Sequence, residues 1–391
     1  MAALPRIEIL SSTNLSDNSC HSIVISALRG LAALQVVAAH VRAQFFPSLK
    51  GLPEPTLWYQ ALAFFTGFAH QAVVVFFLLS GWLVGGSFLN RLHQPAALAN
   101  YAIDRITRMW IVLIPAFLFT IFVGAMTLEI DPTRSSFARE NEYSVAAFLG
   151  NLVGVQDMAV PRFGGNFALW SLANEIWYYV MFPVLVLALA GSTAAVRWSA
   201  GAVFVLLLAC LSFPITLFFS IWLLGVAFSR LRIDATRWQL SLMVALLLAV
   251  SVVFRLTGSN DKLIAESFLQ DLLFSLIFLV VLSSLQFQPG RHRLVVLAKR
   301  AGTALAGFSF TLYVLHVPVI QLLQYLYARA NGAQLSPQRF GDFGLYCLMV
   351  AGIVLFAWLF HLPFEAQTVR LRTTVKRLAG GKRALPAARS L

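Results

Sequence analysis

Arg29 and His40 lie eleven positions apart inside one apolar run, IVISALRGLAALQVVAAHV, residues 23–41. Ionisable side chains in such a run are costly and usually mark a function. On a helix, eleven steps of about 100° return to within roughly 20° of the starting face and climb about 16 Å. The pair therefore places a fixed cation and a titratable base at two depths of one face. Neutral imidazole can take a proton near pH 7, which makes His40 the candidate base; read alone, it is also compatible with an interhelical hydrogen bond. His70, at the head of HQAVVVFFLLSGWLVGG (residues 70–86), falls at a similar depth, either sharing a polar pocket with His40 or as a satisfied interfacial histidine.

Three further groups could do chemistry. Arg105 and Arg108 in YAIDRITRMWIVLIPAF (residues 101–117) are neighbours on a helix face, where two rigid guanidinium forks suit phosphate oxygens; the alternative is a snorkelling membrane anchor. Glu175 lies in LWSLANEIWYYVMFP (residues 169–183) among Trp170, Trp177, Tyr178 and Tyr179. A carboxylate among polar-edged aromatics suits sugar binding; an aromatic belt accounts for the rings but leaves the glutamate unexplained. His316, in FSFTLYVLHVPVI (residues 308–320), is either a substrate contact or a structural polar link.

The elements that must position these residues are membrane helices. Of the 391 residues 59% are hydrophobic and 12% charged, and the mean hydropathy is +0.78, outside the balance of a soluble domain. Windows long enough to cross a bilayer predict about ten spans: 23–41, 64–88, 106–128, 168–190, 196–212, 214–229, 239–257, 267–287, 303–326 and 342–362. The fold expected is an all-α polytopic transmembrane bundle. The short VAAFLGNLVGV stretch (residues 145–155), in an outer loop of 129–167, reads as re-entrant or interfacial.

The net charge of +13 tracks topology and argues against a nucleic-acid partner, because the basic residues gather in alternate loops and in the tail after the last span. By the positive-inside rule both termini are cytoplasmic, and the basic tail reads as a topology determinant near anionic lipid. No basic n-region precedes an apolar core in the polar first twenty residues, so the first helix is expected to be an uncleaved anchor. Cys20, Cys210 and Cys347 are too dispersed for a disulfide framework or a metal site. The expected organisation is a cytoplasmic segment 1–22, a transmembrane domain 23–365 and a basic cytoplasmic tail 366–391.

In order and spacing, ALRGLAALQVVAAH, FFLLSGWLV, the arginine pair of DRITR, WSLANEIWYY and FTLYVLHVP resemble the acyltransferase-3 family of bacterial membrane O-acyltransferases that modify surface polysaccharides and exopolysaccharides. The resemblance covers nearly the whole chain. Arg29 and His40 match the first-helix pair, Arg105 and Arg108 the cytoplasmic arginines, and Glu175 the acidic residue of the WSL segment. Two positions depart: Ile111 stands where many relatives have proline, and EIWYY replaces a commoner glutamine-containing sequence.

The resemblance implies transfer of an acyl group, usually acetyl, from cytoplasmic acetyl-CoA to a glycan or lipid-linked saccharide hydroxyl across the bacterial inner membrane. Acyl-CoA enters as donor substrate, with no resident cofactor, and a homo-oligomer is compatible. On that basis His40 is the base, Arg105 and Arg108 hold the CoA phosphates, and Arg29 guides the donor arm or compensates charge within the tunnel. Glu175 orients His40 or binds sugar; Trp170, Trp177, Tyr178, His70 and His316 are candidate acceptor contacts. A transporter or flippase for a lipid-linked saccharide is the rival reading of the same ionisable residues, without the internal repeat it would favour.

The charge pattern makes a topological prediction. A cysteine introduced at Ser135 should react with a membrane-impermeant maleimide in intact cells; reaction only after the inner face is opened would reverse the orientation.

Overall fold

The computed structural model describes residues 5–13, 20–130, 141–258, 264–285, 293–332 and 334–380. Ser135, Arg291 and the tail beyond residue 380 lie outside the described residues. The chain is a helical bundle: α1 (Cys20–Phe45), α2 (Leu57–Phe65), α3 (Ala69–Ser80), α4 (Gly86–Arg91), α5 (Ala97–Met126), α6 (Val145–Val153), α7 (Leu169–Ala190), α8 (Ala194–Cys210), α9 (Phe213–Phe228), α10 (Arg237–Thr257), α11 (Phe268–Ser283), α12 (Arg293–Gly307), α13 (Ser309–Asn331), α14 (Phe340–His361) and α15 (Thr368–Gly380). Among the described residues eight helical segments are long and apolar enough to cross a membrane. The fifth and sixth predicted spans correspond to α8 and α9, of 17 and 16 residues; at about 1.5 Å per residue each is about 25 Å long, short of a typical hydrocarbon core.

One end of the bundle is tied by polar contacts. Strand β1 (Arg6–Ile9) pairs antiparallel with β2 (Leu231–Asp234). The Asn90 side chain beyond α3 accepts from the Thr13 amide and from Arg230. Asp104, near the start of α5, is buried and ion-paired with Lys376 and Arg372 of α15 at 2.6 and 3.3 Å. The N-terminal segment and α15 thus share the end where α1 and α5 begin.

The ninth predicted span, 303–326, is corrected. Residues 303–307 close the basic α12, the chain breaks at Phe308 (φ −123°, ψ 14°), and α13 runs from Ser309 to Asn331. The two pieces still track α1 in parallel. A Cβ on Gly302 would meet Ala27, a Cβ on Gly30 would meet Leu305 at 2.4 Å, and His40 bonds to His316. The near-constant offset shows one broken element lying along α1, with the break at the depth of Ala33, about one turn beyond Arg29. The hydropathy window misses this because α12 is amphipathic and its apolar face is continuous with the run that follows.

The second predicted span is also interrupted. A π-helical turn, Gly81–Gly85, separates α3 from α4, an insertion that often accompanies functional sites. Here the backbones of α3 and α9 nearly touch: a Cβ on Gly81 would lie 2.0 Å from the Trp222 carbonyl oxygen, and one on Gly225 2.2 Å from that of Leu78. The contact lets Trp222, fully buried, reach Ser80 with its indole N–H at 3.2 Å. Small residues make such approaches possible between membrane helices.

Gly81→Ala and Gly225→Ala should each lower the thermal midpoint of purified protein, at an overpacking cost of about 1–3 kcal/mol. Gly201→Ala in α8, where a Cβ meets nothing within 4 Å, should not. Equal midpoints for all three variants would show that the α3–α9 approach does not limit stability.

Candidate active site

Two cavities open towards opposite ends of the bundle. The first, about 320 Å³, lies near the starts of α1 and α5. Four arginines line it: Arg29 of α1, Arg105 and Arg108 of α5, and Arg372 of α15. The expected neighbour relation of Arg105 and Arg108 therefore opens into a cavity, with Arg29 on the same wall system. Arg105 lies 5.5 Å over the Tyr179 ring and Arg108 6.0 Å over that of Phe310. Arg108 also reaches Glu365 at 3.4 Å.

Glu365 explains how the helix break is stabilised. Its Oε2 accepts from the Thr311 amide at 3.0 Å and from the Thr311 hydroxyl at 2.7 Å. Thr311 sits in the first turn of α13, where amides have no intrahelical acceptor. A carboxylate there satisfies the turn and complements the positive end of the helix dipole. No local pattern marks Glu365 in the sequence, because its partner lies 54 positions away.

Glu175 lies on the wall of this same cavity. It accepts from Ser80 Oγ at 2.8 Å and from the Tyr179 hydroxyl, while Ser80 takes the Trp222 indole N–H. Ser80 and Gly81, adjacent in sequence, thus divide two tasks: a polar anchor for the carboxylate and a gap for α9. His40 is held elsewhere, by His316. Glu175 therefore does not orient His40.

Helical periodicity sorts the aromatic cluster around Glu175. Ser171, Glu175 and Tyr179, each four apart, face the cavity. Trp170, Trp177 and Tyr178 line neither cavity. Tyr178 is fully buried against Phe77 and Phe219, and Trp177 donates to the Gly154 carbonyl at 2.8 Å. Expected as substrate contacts, the three residues sit on helix faces turned from this cavity.

The second cavity, about 360 Å³, lies towards the far end of α1 and is lined by His40, His70, Gln71 and Asp271, with Arg42, Arg255 and Glu266 among its charged residues. His40 and His70 share this polar chamber. His70 Nε2 lies 2.6 Å from Asp271 Oδ1, and Asp271 also accepts from Ser267 at 2.8 Å. A carboxylate only accepts, so Nε2 carries a proton, and in the neutral ring Nδ1 presents a lone pair. Among the described residues neither His70 Nδ1 nor Gln71 Oε1 has a hydrogen-bond partner, and both atoms are buried.

The histidine pair forms a short relay with a defined polarity. His316 Nδ1 lies 2.7 Å from the Tyr313 carbonyl, and His316 Nε2 lies 2.8 Å from His40 Nδ1. The carbonyl must accept, so Nδ1 of neutral His316 holds the proton and its Nε2 accepts from His40 Nδ1–H. The Nε2 lone pair of His40 is left for chemistry. Phe167 packs edge-on against the His40 ring, with centroids 4.9 Å apart. It is delivered by a loop in which Gly164 and Gly165 take positive φ (57° and 65°) and Asn166 donates to the Val314 carbonyl at 2.9 Å. A left-handed pair suits glycine because a Cβ would be strained there.

Tyr313 links the walls of the two cavities through hydrogen bonds. Its ring lines the first and its hydroxyl pairs with Ser171 at 2.7 Å, while its carbonyl anchors the relay that ends in the second. Among the described residues no cluster of His, Cys, Asp and Glu has the makings of a metal site.

No curated protein and no solved structure matches the chain. A family model described as an acyltransferase domain matches residues 23–362. That match spans nearly the whole chain and joins the polytopic fold to an enzymatic class: the protein belongs to the acyltransferase-3 family and is a membrane acyltransferase.

Proposed function

We propose that the chain transfers an acyl group, acetyl in the simplest case, from cytoplasmic acyl-CoA to a hydroxyl of a glycan or lipid-linked saccharide on the far side of the bacterial inner membrane. The observation that carries the reading is the link between two unlike cavities through one turn of α13, from Tyr313 to His316: four arginines line one cavity, and a histidine with a free Nε2 lines the other. Guanidinium groups suit the phosphates of CoA through charge-assisted hydrogen bonds. The orphaned acceptor Gln71 Oε1, joined by His70 Nδ1 when that ring is neutral, suits a ligand rich in hydroxyl donors.

In this mechanism the CoA head rests among Arg105 and Arg108 at the mouth, with Arg29 deeper along the path of the acyl arm. His40 Nε2 removes the proton of the acceptor hydroxyl as its oxygen forms a bond to the thioester carbonyl carbon. The carbon–sulfur bond then breaks, and the proton returns to the departing thiolate. His316 keeps Nδ1 of His40 protonated and so directs the basic nitrogen outward; it is a positioning residue. A lipid-linked saccharide transporter would use the same ionisable residues, but the match to an acyltransferase domain favours the enzyme.

Two measurements test this reading. A well-folded His40→Ala variant should lose glycan acylation by about 10²–10⁴-fold while keeping its affinity for CoA, because the lost interaction belongs to proton transfer. Near-normal turnover would remove His40 as base and redirect the search to His70. Arg105→Ala and Arg108→Ala should weaken CoA binding in calorimetry; unchanged affinity would return both residues to a snorkelling role.

A further inference from the structure

The basic segment after the last span is expected from sequence to lie against anionic lipid. Its first part, α15, instead packs on α5, and Arg372 turns into the first cavity. Arg372 is two-thirds buried or more, with side-chain exposure of 29%. Its Nε faces Asp104 Oδ1 at 3.3 Å, which leaves its two terminal amino groups without a hydrogen bond or ion pair among the described residues, and the buried Nε–H of Arg105, which also lines the cavity, has no hydrogen-bond partner. Two guanidinium groups, brought from helices more than 260 residues apart in sequence, therefore line one space with donors to spare. Buried donors without partners are uncommon and call for a ligand that accepts.

Charge agrees with that demand. Glu175 is the one acidic residue on the cavity wall among the described residues, against four arginines, and its oxygens are already bonded to Ser80 and Tyr179. Across the chain's other end of this contact, Lys376 makes the shortest ion pair with Asp104, at 2.6 Å, yet does not line the cavity. The two basic residues of α15 thus have separable tasks. Lys376 docks the helix, and Arg372 is free to turn its remaining donors inward.

We propose that α15 completes the donor site: Arg372 is a third phosphate ligand, acting with Arg105 and Arg108 on the polyphosphate head of the acyl donor. This rests on the donor reading given above. It makes the helix a wall of the substrate cavity, held in place by Asp104.

The test is calorimetric titration of CoA into the full-length protein in lipid-free detergent micelles, where no lipid phosphate competes. Arg372→Gln should weaken CoA binding about tenfold, the usual scale for losing a charge-assisted hydrogen bond, and should flatten its dependence on salt. Lys376→Gln, which removes one docking contact but no lining residue, should cost clearly less than Arg372→Gln, because Arg372 itself still pairs with Asp104. Wild-type protein that fails to bind CoA would overturn the donor reading and this role with it. Normal binding by Arg372→Gln, where Arg105→Gln and Arg108→Gln bind poorly, would overturn the role of Arg372 alone. Equal losses in Arg372→Gln and Lys376→Gln would show that helix docking matters and the guanidinium does not.

Discussion

The hydrogen bond from His40 Nδ1 to His316 Nε2 is the contact on which the arrangement depends. It joins the first helix to the second half of a broken one, and it can form only if both elements run in parallel and in register. Register is set by close backbone approaches deeper in the bundle, at Gly30 and Gly302. Polarity is set by a main-chain carbonyl, that of Tyr313, which cannot reverse its role as an acceptor. A neutral partner thus performs the orienting task that a carboxylate performs in many acid–base pairs, without placing another formal charge in the membrane interior.

The break between α12 and α13 follows the same economy. Interrupting a helix at membrane depth exposes amides that lipid cannot satisfy. Glu365 satisfies one of them and at the same time neutralises part of the positive field of Arg108. The carboxylate is therefore tied into both the fold and the electrostatics of the arginine cavity. Glu175 serves a similar double purpose on the opposite wall, bonded to Ser80 on one helix and Tyr179 on its own.

Much of this was legible in sequence because it is local. Periodicity placed Arg105 beside Arg108 and set Arg29 and His40 on one helix, and hydropathy located the apolar segments, eight of them long enough to span among the described residues. What escaped was non-local or hidden by chemistry. Arg372 looked like one of many tail bases, since nothing in its neighbourhood tells a lipid-facing base from a cavity-lining one. The aromatic cluster around Glu175 was read as a unit, although a four-residue step separates the cavity face, with Ser171 and Tyr179, from the packing face with Tyr178. Asp271 gave no signal, because its partner His70 lies 201 residues away.

The 276 residues between His40 and His316 also bear on biosynthesis. At a translation rate of about 5–20 residues per second, the first helix is made roughly 14–55 s before its partner. Throughout that interval an inserted α1 carries an unrelayed imidazole, and the arginine cavity lacks the wall that α15 supplies. Assembly of the two half-sites therefore waits until both α13 and α15 have been made.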